Sequence, residues 1–154
     1  MVQHIKRDIF DSGADVILHQ VNCQGEMNSG VARQIRERYP IVFERYKVFC
    51  DKCKNSPDSL LGIAHFVNIG DNRCVANLFA QDKFGYDGKC YTDYDALREC
   101  LIQVRDFAVT FRKTVAMPYL MGCHRGGGDW NTVFAMIDEI FDDVDITICE
   151  YDGG

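Results

Sequence analysis

Long apolar runs are missing from the sequence, and their absence argues against a membrane-spanning helix, which needs about 20 predominantly apolar residues. The opening residues, MVQHIKRD, also lack the apolar core of a secretion signal. We therefore expect a protein of the cytoplasm with no membrane partner. The 154 residues, of which 47% are hydrophobic and 26% charged, are typical of one globular domain over residues 1–154.

An excess of basic residues is also missing, because the net charge is −6. Proteins that bind nucleic acid along an extended surface usually carry a basic face, so the charge argues against that class. One small anionic ligand remains compatible with the charge, since backbone N–H groups at the start of a helix can bind phosphate without Lys or Arg.

A second cysteine pair is the third absence. Cys50 and Cys53 form a C-x-x-C sequence within a total of 8 cysteines. A zinc site of four cysteines needs another pair at similar spacing. We therefore expect reduced thiols, most of them small core residues, and neither a metal ion nor a cofactor.

Runs rich in Val, Ile and Phe alternate with helical patterns along the chain. The predicted strands are residues 3–5, 16–21, 63–69, 75–79, 114–117 and 146–151. The predicted helices are residues 30–39, 40–53, 93–111 and 130–141. In the third helix, the expected buried stripe is Tyr94, Leu97, Leu101, Val104, Ala108 and Phe111. This alternation predicts an α/β sandwich with a mostly parallel central sheet.

Two glycine-bearing loops have the same order of strand, small-residue loop and helix. They are QGEMNSGVA at 24–32 and GCHRGGGDW at 122–130. Glycine lets a ligand approach the backbone, and the helix start offers free N–H groups, so two such loops could clamp a diphosphate. Neither contains G-K-[S/T], and the first does not match G-x-G-x-x-G. Phosphate binding and ordinary turn chemistry therefore both remain open.

Four segments, in order, resemble the macrodomain, an ADP-ribose-binding module. They are DVILHQVNCQGEMNSGVARQIRERYP, GYDGKCYTDYDAL, MPYLMGCHRGGGDW and ITICEYDGG, which together extend along nearly the whole chain. The resemblance is to a compact branch that includes a yeast ADP-ribose 1″-phosphate phosphatase and the terminal ADP-ribose protein glycohydrolase. It implies a three-layer α/β/α sandwich with a mixed, mostly parallel sheet.

The resemblance also implies an ADP-ribose site at numbered positions. Asp8 would accept from the adenine amino group, and the Ile9 backbone and Tyr151 would lie near that ring. Asn22 would hold the distal ribose, a task that suits an amide because it both donates and accepts. Asp8 could instead cap a turn, and Tyr151 could be an ordinary aromatic at a strand end.

The resemblance also implies two sets of loop residues that line the diphosphate. The first set is Ser29, Gly30, Val31 and Ala32. The second set is Gly122, Cys123, His124, Arg125, Gly126 and Gly127. Gln20, Val21 and Leu120 complete the expected binding residues. Arg125 could add charge or simply be solvated, and Cys123 is expected to be a contact residue rather than a nucleophile, because a nearby phosphate disfavours its thiolate.

His19, Asn22 and Asp129 are the candidate catalytic residues. His19 corresponds to a strand histidine of the phosphatase in this branch and could shuttle a proton, or it could be a hydrogen-bonded core histidine. Asp129 could position water or cap the following helix. The glycohydrolase uses a lysine and a loop aspartate, whose positions here correspond to Gln81 and Gly126. Lys83 lies two residues from the first of these.

We therefore expect a protein that binds ADP-ribose and hydrolyses a group at its 1″ position, as a phosphatase or as an ADP-ribosyl ester hydrolase. The alternatives are a non-catalytic reader of ADP-ribose and an unrelated α/β nucleotide protein. The expected ligands are ADP-ribose or ADP-ribose 1″-phosphate, free or as ADP-ribosylated protein or nucleic acid. We expect a monomer, because one core accounts for the apolar residues.

Overall fold

A six-stranded sheet lies at the centre of the described part of the protein. The structure is a computed structural model that describes residues 1–85, 87–124 and 126–151. The strands are β1 (Val2–Lys6), β2 (Val16–Asn22), β3 (Ala64–Gly70), β4 (Arg73–Gln81), β5 (Val115–Pro118) and β6 (Ile146–Glu150). Their order in the sheet is β1-β6-β5-β2-β4-β3. Only the β3–β4 pair is antiparallel among these strands, so the predicted mixed, mostly parallel sheet is confirmed.

Helices cover both faces of this sheet. The four α-helices of the described residues are α1 (Gly30–Arg38), α2 (Pro40–Lys52), α3 (Tyr94–Phe111) and α4 (Trp130–Ile140). Side chains of β2 alternate between the two faces, as strand geometry requires. Val16 and Leu18 pack with α3 and α4, whereas Ile17 and Val21 pack with α1 and α2. The predicted three-layer sandwich is confirmed.

Local sequence signals set the ends of these helices. Pro40 begins α2, where its missing N–H has no helical partner to lose. The carboxylates of Asp93 and Asp129 accept from first-turn N–H groups of α3 and α4, each at 3.0 Å. One prediction for α3 is wrong: Phe111 is 59% exposed. It is the last residue of the helix, and its ring packs on Phe107 at 4.9 Å between centroids.

Three adjacent parallel strands end at one edge of the sheet. β5, β2 and β4 end there at Pro118, Asn22 and Gln81, with an irregularity in register between Val21 and Asn22. The loops after β2 and β5 therefore leave from neighbouring positions. None of the helices in the described ranges is long and apolar enough to cross a bilayer.

Candidate functional site

A cleft of about 320 Å³ lies where these three strands end. The last residue of each strand, Pro118, Asn22 and Gln81, lines it. Clefts at this edge of a parallel sheet are the usual ligand sites of α/β proteins. The predicted site residues that line it are His19, Gln20, Val21, Asn22, Ser29, Gly30, Val31, Ala32, Leu120, Gly122, His124 and Gly126.

Six predicted site residues lie outside this lining, and Arg125 lies outside the described residues. The six are Asp8, Ile9, Cys123, Gly127, Asp129 and Tyr151. The Asp8 carboxylate accepts from Phe10 N at 3.0 Å and caps a 3₁₀ turn. Ile9 is buried in the core, and Tyr151 is 60% exposed just after β6. Their roles at an adenine ring therefore stay predictions.

Eight further residues line the cleft, and the sequence did not indicate them as binding residues. They are Glu26, Asn28, Gln81, Phe84, Gly85, Pro118, Tyr119 and Met121. Phe84 is 42% exposed although it is a large apolar residue. The one signal in the sequence that could have indicated Phe84 is an aromatic residue within a polar loop, because aromatic rings are used to contact flat or apolar parts of ligands.

The N-terminus of α1 forms one wall of the cleft. Ser29 is the N-cap, yet its side chain makes no capping hydrogen bond, and the first turn contains no acidic residue. The first intrahelical bond is donated by Arg33 N to Ser29 O at 3.3 Å. The N–H groups of residues 30–32 precede it and have no helical partner, so they leave a partial positive charge on this wall. This wall can therefore bind an anion without a basic side chain.

Asn22 organises the loop that leads to this helix. Its Oδ1 accepts from Gln24 N at 3.0 Å, Glu26 N at 3.3 Å and the Tyr46 hydroxyl at 2.8 Å. Its Nδ2 donates to Glu26 O at 3.0 Å. The amide thus holds the loop in place at the cleft, and one N–H of Nδ2 remains for a ligand.

Tyr46→Phe tests this arrangement. The buried hydroxyl lies within hydrogen-bond distance of Asn22 O, Asn22 Oδ1 and Glu26 N, so its removal loosens the loop. We expect a loss of about 1–2 kcal/mol in the free energy of unfolding, measured by urea denaturation. Tyr39→Phe is the matched control, because the Tyr39 hydroxyl has no hydrogen bond within the described residues. An equal loss in both variants would contradict the role of the Tyr46 hydroxyl.

The second glycine loop packs on the side chains of Gln20 and Thr92. Gln20 Nε2 donates to Thr92 Oγ1 at 2.9 Å, and that hydroxyl donates to Gly122 O at 2.7 Å. Gly122 has a φ of +78°, which favours glycine, and a Cβ there would lie 2.6 Å from Gln20 Oε1. Gln20 Oε1 itself is buried and has no hydrogen-bond partner among the described groups.

His19 lines the cleft and is also a hydrogen-bonded core residue. It is 2% exposed, and its Nε2 lies 2.6 Å from Asn77 Oδ1. Burial lowers the pKa of His19 to about 4, against a smaller raising effect of the Asn77 bond. In the protein without ligand, the imidazole is therefore neutral near pH 7. One ring nitrogen can then accept a hydrogen bond, but the ring cannot act as a general acid.

Asp129 serves as the cap of α4 and is exposed outside the cleft lining. Its Oδ2 accepts from Thr132 N at 3.0 Å and from Thr132 Oγ1 at 2.8 Å. We expect Asp129→Ala to lower the free energy of unfolding by about 1 kcal/mol, and to leave ligand binding unchanged. Asp93→Ala, which removes the equivalent cap of α3, is the control. A fall in binding in the first variant alone would place Asp129 in the site instead.

Among the described residues around the cleft, nucleophilic and cationic side chains are scarce. Burial raises the pKa of the Cys123 thiol to about 11, which agrees with a residue that is not a nucleophile. Lys83 is exposed, and no Lys or Arg is among the described residues of the lining. Groups of three or more His, Cys, Asp or Glu side chains able to hold a metal ion are absent from the described ranges.

Solved structures with the same arrangement define the class of fold. A macrodomain of Mycobacterium tuberculosis DarG is 23% identical, covers 97% of both chains and has a TM-score of 0.81. Thermosipho africanus DarTG, solved in complex with ADP-ribose, is 15% identical over 99% of this chain and 42% of that chain, with a TM-score of 0.77. A Bacteroides thetaiotaomicron protein of unknown function is 29% identical over 97% and 98%, with a TM-score of 0.85. The chain has the macrodomain fold.

Sequence relatives agree with this class, although no protein-family model matches the chain. An uncharacterised 17.5 kDa protein of Enterobacteria phage T4 is 27% identical over 99% of this chain and 97% of its own length. The DNA ADP-ribosyl glycohydrolase of Mycobacterium bovis is 26% identical over the whole chain and 43% of that enzyme. An ADP-ribose 1″-phosphate phosphatase of Aspergillus oryzae is 34% identical over 39% of the chain and 30% of that enzyme. The chain thus matches less than half the length of both named enzymes.

Proposed function

We propose that this protein binds ADP-ribose in the cleft and hydrolyses a group attached at the 1″ position of its distal ribose. One observation carries the proposal: two glycine-bearing loops, which follow the adjacent parallel strands β2 and β5, line a single cleft together with the free N-terminus of α1. Relatives named for ADP-ribose chemistry support the same ligand.

The proposed pose follows from the chemistry of the lining. The diphosphate takes the N–H groups of residues 30–32, where the helix end supplies positive charge. The loop of residues 120–124 lines the same cleft and contacts the phosphates through its backbone. The distal ribose lies near Asn22 and His19, at the end of β2.

Hydrolysis needs a positioned water molecule and stabilisation of the developing charge. In the phosphatase form, water attacks the 1″ phosphorus, the P–O bond to the ribose breaks, and inorganic phosphate and ADP-ribose leave. In the ester form, water attacks the acyl carbon, the bond from that carbon to the 1″ oxygen breaks, and a carboxylic acid and ADP-ribose leave. The unprotonated nitrogen of His19 can accept from that water. A covalent lysine adduct has no candidate among the described lining residues.

Phosphate release from ADP-ribose 1″-phosphate and ADP-ribose release from an ester-linked ADP-ribosyl peptide test this proposal side by side. We expect at least one release rate above the uncatalysed rate, and a fall of about tenfold or more in His19→Ala. Gln3→Ala, on the exposed edge strand β1, is the control and keeps the wild-type rate. Release at the uncatalysed rate with both substrates would contradict the enzymatic proposal.

A non-catalytic reader of ADP-ribose is the second candidate. It is favoured by Gln81 and Gly126, which stand where the glycohydrolase branch has a lysine and an aspartate. Isothermal calorimetry with ADP-ribose separates the two candidates when combined with the release assay. Measurable binding without release supports a reader, whereas no heat at millimolar ADP-ribose contradicts both.

The proposal also covers the biological form of the ligand and the location and oligomeric state of the protein. ADP-ribosylated protein and ADP-ribosylated nucleic acid present the same terminal group as free ADP-ribose 1″-phosphate, so all three are candidate substrates. A cytoplasmic monomer remains our expectation for the protein itself. Sedimentation at several concentrations with and without ADP-ribose tests the oligomeric state.

A further inference from the structure

A row of three polar side chains crosses the sheet next to the cleft. His19, Asn77 and His65 stand opposite one another on β2, β4 and β3. They share the face of the sheet that α1 and α2 cover, since Val75 and Phe79 on either side of Asn77 belong to that core. Polar groups buried in such a layer are retained when their hydrogen bonds serve each other or a ligand.

Two hydrogen bonds connect the row. His19 Nε2 lies 2.6 Å from Asn77 Oδ1, and Asn77 Nδ2 lies 3.3 Å from His65 Nδ1. An amide oxygen only accepts and an amide nitrogen only donates. In this arrangement His19 carries its proton on Nε2, and His65 presents an unprotonated Nδ1 to the amide.

The other nitrogen of His19 is left unprotonated. His19 Nδ1 is buried and has no hydrogen-bond partner in the described part of the chain. His19 is one of the residues that line the cleft. An unpaired buried acceptor destabilises a protein, so a donor that arrives with the ligand removes this cost on binding.

We propose that Asn77 is a positioning residue that fixes His19 in its Nε2-protonated tautomer, so that His19 Nδ1 accepts a hydrogen bond from a hydroxyl group in the cleft. The identity of that group, a ribose hydroxyl or the attacking water, rests on the proposed function. Asn77 does not itself line the cleft and acts through His19.

His65, at the far end of the row, contributes to the same control of the His19 tautomer. If the amide of Asn77 rotated by half a turn, it would donate to His19 and force the opposite tautomer, with the proton on Nδ1. That rotation would also require the proton of His65 to move to Nδ1, because this nitrogen would then face the amide oxygen. Burial lowers the pKa of His65, which favours the neutral form of this ring.

Nitrogen-15 NMR of the histidine rings in the full chain, with and without ADP-ribose, tests the proposal. In the wild-type protein we expect His19 to be protonated on Nε2 alone, and its Nδ1 resonance to shift when ADP-ribose binds. In Asn77→Leu, which is close in size, we expect both tautomers and a kcat at least about tenfold lower with KM nearly unchanged.

Val67→Ala is the control for general loss of packing. Val67 is buried on the same face of β3 and lies outside the row. We expect this variant to lose stability and to keep the wild-type tautomer and kcat. If Asn77→Leu does not fold, the tautomer of His19 in the wild-type protein still tests the proposal.

Two results would overturn the role of Asn77. These are a protonated His19 Nδ1 in the wild-type protein, and an unchanged tautomer in Asn77→Leu. Failure of ADP-ribose to bind in calorimetry would instead overturn the proposed function. The tautomers of the free protein would still decide the positioning role in that case.

Discussion

Gly30→Glu is expected to weaken ADP-ribose binding by a factor of about 100 or more, which corresponds to at least about 2.8 kcal/mol. Gly30 is the first residue of α1 and lines the cleft, and its φ of +60° suits glycine. A glutamate here would place a negative charge at the N–H groups proposed to bind the diphosphate. It would compete with the ligand for these groups and repel it. Isothermal calorimetry with ADP-ribose measures the effect.

Gly70→Glu separates this electrostatic effect from backbone strain. Gly70 also has a positive φ, of +97°, and open space around its Cβ position, but it is the last residue of β3 and does not line the cleft. Both variants add the same side chain and a strained backbone, so they should lose comparable stability. Only Gly30→Glu should lose binding. Equal affinities in the two variants would exclude the α1 N-terminus as the anion site.

Gly127→Ala is expected to lower the free energy of unfolding by about 3 kcal/mol. Gly127 has a φ of +68°, and a Cβ there would collide with the carbonyl group of Lys89. Because the obstructing atom belongs to the backbone, a change of rotamer cannot relieve the collision. The loop must then shift away from Lys89, and urea denaturation measures the resulting loss.

Gly88→Ala is the control for the cost of the backbone conformation alone. Its φ is +77°, and no atom lies within 4 Å of the Cβ position. We expect a loss of about 1 kcal/mol in this variant. The difference between the two variants measures the collision with Lys89. If the two variants lose the same free energy of unfolding, the close packing of the second glycine loop does not contribute to stability.

The secondary structure could be predicted closely because its signals are local. Each predicted strand and helix has a counterpart in the structure, and the bounds differ by two residues or fewer. β4 runs from Arg73 to Gln81, beyond the predicted residues 75–79. Its polar ends broke the apolar run in the sequence, although hydrogen bonds with β2 and β3 continue the strand there.

The cleft could be predicted only in part. The glycine loops and the polar end of β2 are continuous in sequence, and most of their predicted residues line the cleft. Gln81 and Tyr119 reach it through the order of strands in the sheet, which no local pattern encodes. The partner of His19 was likewise not predictable, because Asn77 lies 58 residues further along the chain. Asp129 shows the opposite case, where a strong local capping signal accounts for the residue.

The ring of hydrogen bonds around Asn22 has a consequence for the entropy of binding. A flexible loop at this position would lose conformational freedom when it closed on a ligand, and that loss would weaken affinity. Here Tyr46, from the buried side of α2, and the loop backbone fix the Asn22 amide in the free protein. The ordering of this wall takes place during folding, so the cleft is preorganised and its affinity does not depend on closure of that loop.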